Sequence, residues 1–497
     1  MSELVIPESW ATCSISQAAK YLGRGKSPKY SPKETGYYSV NQRCIYWEQV
    51  KVENGKHVLA DWFKRQNQEV VVKPGDILLN STGTGTLGRA NIWSRDCENY
   101  IADSHVCLIR CKQQISPKYF LYLIRSRIGQ EIIESATTGS TNQIELSKTK
   151  LGIGELPLPP LGEQRRIVAK IESTFKSIEA IEKAVESAES LLTKYRESLL
   201  NKAFRGELVP QDPRDEPASK LLERIRDERV KQQDGKKKKK DELPPITEDE
   251  IPFEIPKSWE WVRIPEVGSL ARGKSKHRPR NDKKLFGGKY PFIQTGDVAQ
   301  ANGYIVEYSQ TYSDFGLSQS RLFPPGTLCI TIAANIADTA ILTFPACFPD
   351  SVVGYSSNGR TLSAEFLKFF IELMKVSINK AAHGAAQKNI NLEVLGELPV
   401  PLPPFAEQVR IVETLKNQEA AIGKIIGSIE ALSLAARKQR GSILGSAFSG
   451  HLVPQVQSEG TGHQLLEQIL AAKSDSDDAK ANAKEAAAKA KPRKIKT

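Results

Sequence analysis

Three stretches of this 497-residue chain place residues at spacings that could do chemistry. Gly268-Ser-Leu-Ala-Arg-Gly273-Lys274-Ser275 fills every specified position of the phosphate-loop pattern GxxxxGK[ST], in which backbone amides and the lysine hold nucleotide phosphates. That chemistry needs a strand before the loop and a helix after it whose N-terminal amides face the phosphate. The continuation from Lys276 through Arg278, Pro279 and Arg280 starts a helix poorly, and the related loop of the first half has Lys20 in place of the first glycine. Gly83-Thr-Gly85-Thr-Leu-Gly88 matches the dinucleotide pattern GxGxxG, but the residues from Arg89 to Asp96 carry no helical apolar stripe. Leu402-Pro-Pro-Phe405 approaches the Asn/Asp-Pro-Pro-aromatic box used in amino-group methylation, yet Leu402 offers nothing to bond a base amino group. The six histidines form no HxxxH or HExxH, and Cys107 and Cys111 stand four apart without a second pair, which reads as buried thiols. The expectation is a chain with no catalytic residues, no metal and no cofactor of its own.

Composition narrows the partners. The 70 Lys and Arg against 58 Asp and Glu leave +12, so a polyanion is the first partner to consider. Seven cysteines, an odd number at irregular spacings, argue against a secreted disulfide framework and for a reducing compartment, by default the cytoplasm. Neither a signal peptide nor a membrane span is expected, since no basic start precedes an apolar region and no run of about 18 apolar residues occurs.

The elements that must position any site are written twice. Pro157-Leu-Pro-Pro-Leu-Gly-Glu-Gln-Arg-Arg-Ile-Val168 returns 244 positions later as Pro401-Leu-Pro-Pro-Phe-Ala-Glu-Gln-Val-Arg-Ile-Val412. The same offset carries Ala203-Phe204-Arg-Gly-Glu-Leu-Val-Pro-Gln211 onto Ala447-Phe448-Ser-Gly-His-Leu-Val-Pro-Gln455, and Leu221-Leu222-Glu223 onto Leu465-Leu466-Glu467, without a gap. Upstream of each copy the chain diverges, but islands still correspond: Ile6-Pro-Glu-Ser-Trp10 with Ile255-Pro-Lys-Ser-Trp259, Arg24-Gly-Lys-Ser27 with Arg272-Gly-Lys-Ser275, Pro74-Gly75 with Pro325-Gly326, and Asp103-Ser104 with Asp350-Ser351. A period this long means duplicated domains rather than a solenoid. The layout is a first variable domain over 1–155, a fixed helical region over 156–232, a charged linker over 233–250, a second variable domain over 251–399, a second helical region over 400–473, and a low-complexity basic tail over 474–497.

Within the fixed regions, alternating steps of three and four give Ile171, Thr174, Ile178, Ile181, Val185, Ala188, Leu192, Tyr195 and Leu199 in the first copy. The second gives Leu415, Gln418, Ile422, Ile425, Ile429, Leu432, Ala436, Gln439 and Ile443 in the same register. This is a heptad seam. A continuous helix from Glu163 to Phe204 would be roughly 60 Å long at 1.5 Å per residue. Two equal stripes in one chain can satisfy each other, so an intramolecular antiparallel pair is expected, with Ile171, Ile178, Ile181, Val185, Leu192, Leu199, Leu415, Ile422, Ile425, Ile429, Leu432 and Ile443 on the seam. Gaps would break register, a physical reason for the constant length.

The variable segments read as mixed α/β. Val70 to Leu79 suggests strand, turn and strand about Pro74-Gly75, and Ser116–Glu134 and Ser363–Lys380 suggest amphipathic helices opened by serine caps. The lysines from Lys236 to Lys240 suit a solvated tether or a phosphate contact. The expected fold class is α+β: two mixed α/β variable domains separated by two long helices in an intramolecular antiparallel coiled coil, with a pseudo-two-fold internal repeat.

Two divergent domains, each followed by a PLPP-x-x-EQ-x-RIV box, a long helix and AF-x-G-x-LVPQ, resemble the specificity subunit of type I restriction-modification systems. The resemblance covers nearly the whole chain apart from linker and tail. It implies one target recognition domain in each half, each reading part of a split double-stranded DNA site. It also implies two modification subunits that methylate adenine with S-adenosylmethionine, and two restriction subunits that translocate and cut DNA with ATP and Mg; those cofactors belong to the partners. Phosphate contacts hold position while base edges select sequence. The candidates for positioning are Arg24, Lys26, Ser27 and Lys29, with Arg272, Lys274, Ser275, Lys276, Arg278 and Arg280 in the second half. Candidates for base reading are Gln42, Arg43, Thr82, Thr84, Ser140, Thr141 and Asn142, with Gln294, Asn335, Gln387 and Lys388, because amide and guanidinium groups suit the patterns of adenine and guanine. The rivals are a stand-alone ATP- or S-adenosylmethionine-dependent DNA enzyme and a coiled-coil scaffold that never touches DNA.

Overall fold

The computed structural model describes residues 5–139, 144–232, 243–333, 335–384 and 390–472. The halves of the sequence are not the units of the fold. One unit comprises residues 1–185 with 430–497, and the other residues 186–429. Each therefore combines one variable domain, the beginning of the long helix that follows it, and the end of the long helix from the other repeat.

In the first unit a four-stranded antiparallel sheet runs in the order Ala19–Arg24, Val106–Cys111, Ile77–Asn80, Ala90–Ile92. Ile77 to Asn80 is buried throughout, as befits a strand covered on both faces. Its period of two sends Ile77 and Leu79 into the core shared with the helices, and Leu78 into a second core with Trp93 and Tyr100. The second unit repeats this device: Leu328 and Ile330 face the helices while Cys329 faces the opposite core. That strand lies in a five-stranded sheet ordered Gly268–Arg272, Val352–Ser357, Leu328–Thr331, Thr339–Leu342, Tyr304–Ile305. In both units the chain's entry and exit pair antiparallel, Ala11 opposite Leu158 and Glu260 opposite Leu402, which delivers the chain to the start of a long helix.

Two local expectations change. Of the segment Val70–Leu79 only the second strand forms: Gln68–Val70 is a 3-10 turn whose Asn67 side chain accepts from the Glu69 amide, and Val71 makes a lone bridge to Ile101. The segment Ser116–Glu134 is two helices, Pro117–Arg125 and Arg127–Ser135. The break is chemical, since the Ser126 hydroxyl donates to the Leu123 carbonyl at 2.6 Å and accepts from the Gly129 amide to cap the next helix. The counterpart in the second unit, Ala364–Gly384, is unbroken.

The long helices are Leu161–Phe204 and Phe405–Phe448, each of 44 residues. Gly206 (φ 71°) and Gly450 (φ 79°) end them in the left-handed region, with Glu207 N–H donating to Lys202 O and His451 N–H to Ser446 O, both at 2.9 Å. In the first unit Arg440 pairs with Glu182 at 3.2 Å while Arg166 reaches the Pro454 carbonyl at 2.6 Å, so the two helices run antiparallel. They do so again in the second unit, where Tyr195 bonds Gln418, Arg196 bonds Glu419 and Gln211 bonds Glu407.

The seam is narrower than the heptad pattern predicts. Ile171, Ile178, Leu199, Leu415, Ile422, Ile429 and Ile443 are buried, and Ile181, Val185 and Leu192 are half-buried. Ile425 and Leu432, however, are 48% and 47% exposed. Burial in the second helix recurs once per heptad, at Leu415, Ile422, Ile429, Ala436 and Ile443. The alternate column contains Gln418 and Gln439, so it offers no continuous apolar surface to bury, and one column carries the contact. Among the described residues no helix is long and apolar enough to cross a membrane.

Candidate nucleic-acid interface

In the first domain four loops, drawn from two sheets, meet at one place. Thr82, after the central strand, lies 3.3 Å from Gln42 Oε1 and 2.9 Å from His105 Nδ1. Asn80 holds the Gln42 carbonyl at 3.1 Å. The Arg24–Ser27 loop joins them through a bridge between Lys26 and Asp103. Gly25 is required there, because a Cβ would fall 1.9 Å from the Ala102 carbonyl oxygen. The Asp103 carboxylate organises the corner: it accepts from the Tyr30 hydroxyl, the Ser104 hydroxyl and the His105 amide, all within 3.2 Å. Burial, reinforced by Asp103, pushes the Tyr30 phenol up to about 12, so it stays a donor at neutral pH.

The second domain builds the same corner with different groups. A Cβ on Gly273 would lie 2.3 Å from the carbonyl oxygens of Phe348 and Pro349, and Asp350 takes the place of Asp103, receiving Arg280 at 2.9 Å on its carboxylate and Arg272 on its carbonyl. A divergent pair of loops thus keeps one glycine and one acid.

The candidate residues separate by what their side chains already do. Lys26, Lys29, Arg43, Lys274 and Lys276 are exposed and have no side-chain partner among the described residues, which suits the lysines to phosphate contact and leaves Arg43 free for a base edge. Ser27 and Thr84 are exposed as well, and Ser275 is half-buried. Arg24 is engaged with Glu145 and the Leu146 carbonyl, and Arg278 with the carbonyls of Ser275 and His277; with Arg272 and Arg280 they brace their loops. Thr82 is buried and Gln42 half-buried. Gln294 is exposed and bonds Gln310 at 3.0 Å, and Asn335 is exposed in the loop after Leu328–Thr331. Ser140, Thr141, Asn142, Gln387 and Lys388 lie outside the described residues, as do Lys236–Lys240 and the tail.

The nucleotide-like motifs form other structures. Gly268–Arg272 is a strand paired with Val352–Ser357, and no helix follows Lys274 and Ser275. Gly83, Gly85 and Gly88 all take positive φ in a hairpin between Ile77–Asn80 and Ala90–Ile92, so their amides open no helix. Burial pushes the Cys107 and Cys111 thiols up to about 12, and among the described residues no three His, Cys, Asp or Glu are placed to hold a metal.

Sequence reasoning missed what the repeated PLPP-x-x-EQ-x-RIV box does. Glu163 accepts the buried Trp10 indole N–H at 3.1 Å, and Glu407 that of Trp259 at 3.0 Å. Gln164 and Gln408 accept from the cap amides of Ser116 and Ser363, both at 2.9 Å. Arg166 pairs with Glu459 and Arg410 with Asp215. Each box therefore ties a long helix to its own domain and to the segment that follows the other helix. The paired tryptophans of the Ile-Pro-x-Ser-Trp islands were the available signal, since a buried indole N–H needs an acceptor.

The chain is thus a duplicated α+β domain protein in which each domain presents a basic loop corner and is backed by a fixed-length helix. The family model of the type I restriction modification DNA specificity domain matches residues 7–189 and again 256–431. The chain belongs to that family, and carries its domain twice. The type I restriction enzyme EcoEI specificity subunit of Escherichia coli is 25% identical over 361 residues, 61% of this chain and 60% of that protein's own length. The MjaVIII specificity subunit of Methanocaldococcus jannaschii is 26% identical over 438 residues, 84% of this chain and 88% of that one. The crystal structure of the HsdS subunit from Thermoanaerobacter tengcongensis shares the fold, with a TM-score of 0.60, 18% identity, and coverage of 90% of this chain and 98% of that chain.

Proposed function

We propose that this chain is the specificity subunit of a cytoplasmic type I restriction-modification complex and reads a bipartite DNA site across a fixed spacer. The observation that carries this reading is the coexistence of two divergent loop corners with helices duplicated at identical length. Divergence lets the two half-sites differ, and constant length holds the spacer. Lys26, Lys29, Lys274 and Lys276 position the loops on phosphate, while of the described candidates for base edges Gln42, Arg43, Thr84, Gln294 and Asn335 remain, Thr82 being buried. Two modification subunits and two restriction subunits supply the chemistry, with S-adenosylmethionine, ATP and Mg bound by them. The chain itself takes no catalytic role.

The test is methylome sequencing of a host expressing the chain with its partner subunits. The expected result is a methylated motif of two short sequences separated by a constant number of unread base pairs. A continuous motif, or one with a variable spacer, would refute the reading. The purified chain alone is expected to hydrolyse no ATP and transfer no methyl group, and activity without partners would favour the stand-alone enzyme. A sequence-specific footprint in the presence of the modification subunit separates the reading from a scaffold that never contacts DNA.

A further inference from the structure

His105 belongs to no motif, yet it stands where the loops of the first domain meet. Its side chain is exposed while its backbone is fixed from both sides: the amide donates to Asp103 Oδ1 at 3.0 Å, and the carbonyl accepts from the Ser81 amide at 3.0 Å. The ring is held as well, with Nδ1 2.9 Å from Thr82 Oγ1. Thr82 in turn donates to Gln42 Oε1 at 3.3 Å, and Gln42 is anchored through its own carbonyl by Asn80.

This relay has a direction. A carbonyl oxygen can only accept, so the single hydroxyl hydrogen of Thr82 goes to Gln42, and the Thr82 oxygen accepts from His105 Nδ1–H. A neutral imidazole protonated on Nδ1 carries its lone pair on Nε2. Nε2 has no partner among the described residues. A lone pair there cannot bond phosphate or deoxyribose oxygens, which are acceptors themselves. The donors that duplex DNA exposes in its grooves are the amino groups of adenine, cytosine and guanine. Because ring and backbone are already fixed, binding would cost little side-chain entropy. Lys26, exposed on the adjoining loop, supplies a cation for a flanking phosphate.

We infer that His105 is a base-reading residue of the first domain, its Nε2 accepting a hydrogen bond from the amino group of one base. The inference rests on the proposed function and adds to it a specific residue and the polarity of its contact. It is tested on the full chain in complex with its modification subunits, using duplexes of the mapped site. Each amino group is deleted in turn (purine for adenine, inosine for guanine, pyrimidin-2-one for cytosine), and each purine N7 is deleted with a 7-deaza base. The wild-type complex should lose affinity about five- to tenfold at one amino deletion in one half-site, the worth of one hydrogen bond. His105→Ala should be insensitive to that deletion alone. Thr82→Val, which keeps the side-chain shape but removes the relay, should weaken the same coupling. Coupling of His105 to an N7 deletion would overturn the inference by reversing the polarity. So would a uniform loss on every duplex, or full retention of sensitivity in both variants. A wild-type complex with no sequence preference would instead overturn the proposed function on which this stands.

Discussion

Replacing Gln408 with leucine is expected to loosen the second unit and spare the first. The side chain is fully buried. Its oxygen accepts from the Ser363 amide at 2.9 Å, and its nitrogen donates to the carbonyls of Thr361 at 2.9 Å and Pro403 at 3.0 Å. Leucine fills a similar volume and makes none of these bonds. Three bonds at about 1 kcal/mol each, with a further penalty of about 1 kcal/mol for the Ser363 amide left buried, suggest a loss of about 4 kcal/mol. The damage falls on the cap of Ala364–Gly384, the helix whose Phe366 and Phe370 pack on Phe204 at the end of the first long helix. For a unit spanning residues 186–429, about 2–4 °C per kcal/mol places the fall in its melting temperature at roughly 8–16 °C. Calorimetry on the full chain reads the shift, and hydrogen exchange locates it, with peptides around Ser363 losing protection while those around Ser116 keep theirs. A loss below about 1 kcal/mol, or equal exchange in both regions, would refute the role assigned to this residue. Gln164→Leu should do the same to the first unit by a smaller amount, since the Gln164 amide bonds Ser116 and Pro159 alone.

Other perturbations probe charge and length. Lys274→Ala should weaken binding to many DNA sequences alike and reduce the slope of log affinity against log salt by about 1; a change of preference at a single base would place Lys274 on a base edge instead. Burial pushes the Glu407 carboxyl above its ordinary value, although Trp259, Gln211 and Arg410 pull it down. A raised carboxyl contributes stability that is complete below its unfolded pKa and is lost as pH rises through the folded one. Glu407→Gln, which retains an acceptor for Trp259, should therefore gain on the wild type in urea unfolding as pH rises from about 4, and a gap independent of pH would contradict this. Inserting four residues into each long helix lengthens it by roughly 6 Å and should move the half-sites apart by one or two base pairs. An unchanged spacer in the methylome would show that helix length does not set it.

Much of the architecture was legible because duplication exposes it. A gapless offset of 244 over Pro157–Glu223 marks both helices and their glycine ends, and both helices run over the same 44 positions of the repeat. The seam was less legible, since heptad spacing identifies apolar columns but not which of them finds a partner; Ile425 and Leu432 fit the pattern and remain exposed. The break at Ser126 was hidden for a similar reason. Serine tolerates a helix until its hydroxyl can cap a second one, and Gly129 supplies that opportunity.

By itself, the sequence determined the duplicated plan, the fixed helix length, the paired basic loops and the failure of three catalytic patterns, because each depends on order and spacing along the chain. Tertiary structure alone decided which cations are free. Arg24, Arg272 and Arg280 look like Lys26 and Lys274 in sequence, but acids and carbonyls from distant segments occupy them. The same holds for the role of the repeated Glu-Gln pair, whose partners Trp10, Ser116, Trp259 and Ser363 lie about 45 to 155 positions away, and for His105, singled out only when Gln42 and Thr82 converge on it. A hydrogen bond or an ion pair needs its atoms within a few ångströms, and no spacing within one segment reveals which distant segment will supply the partner.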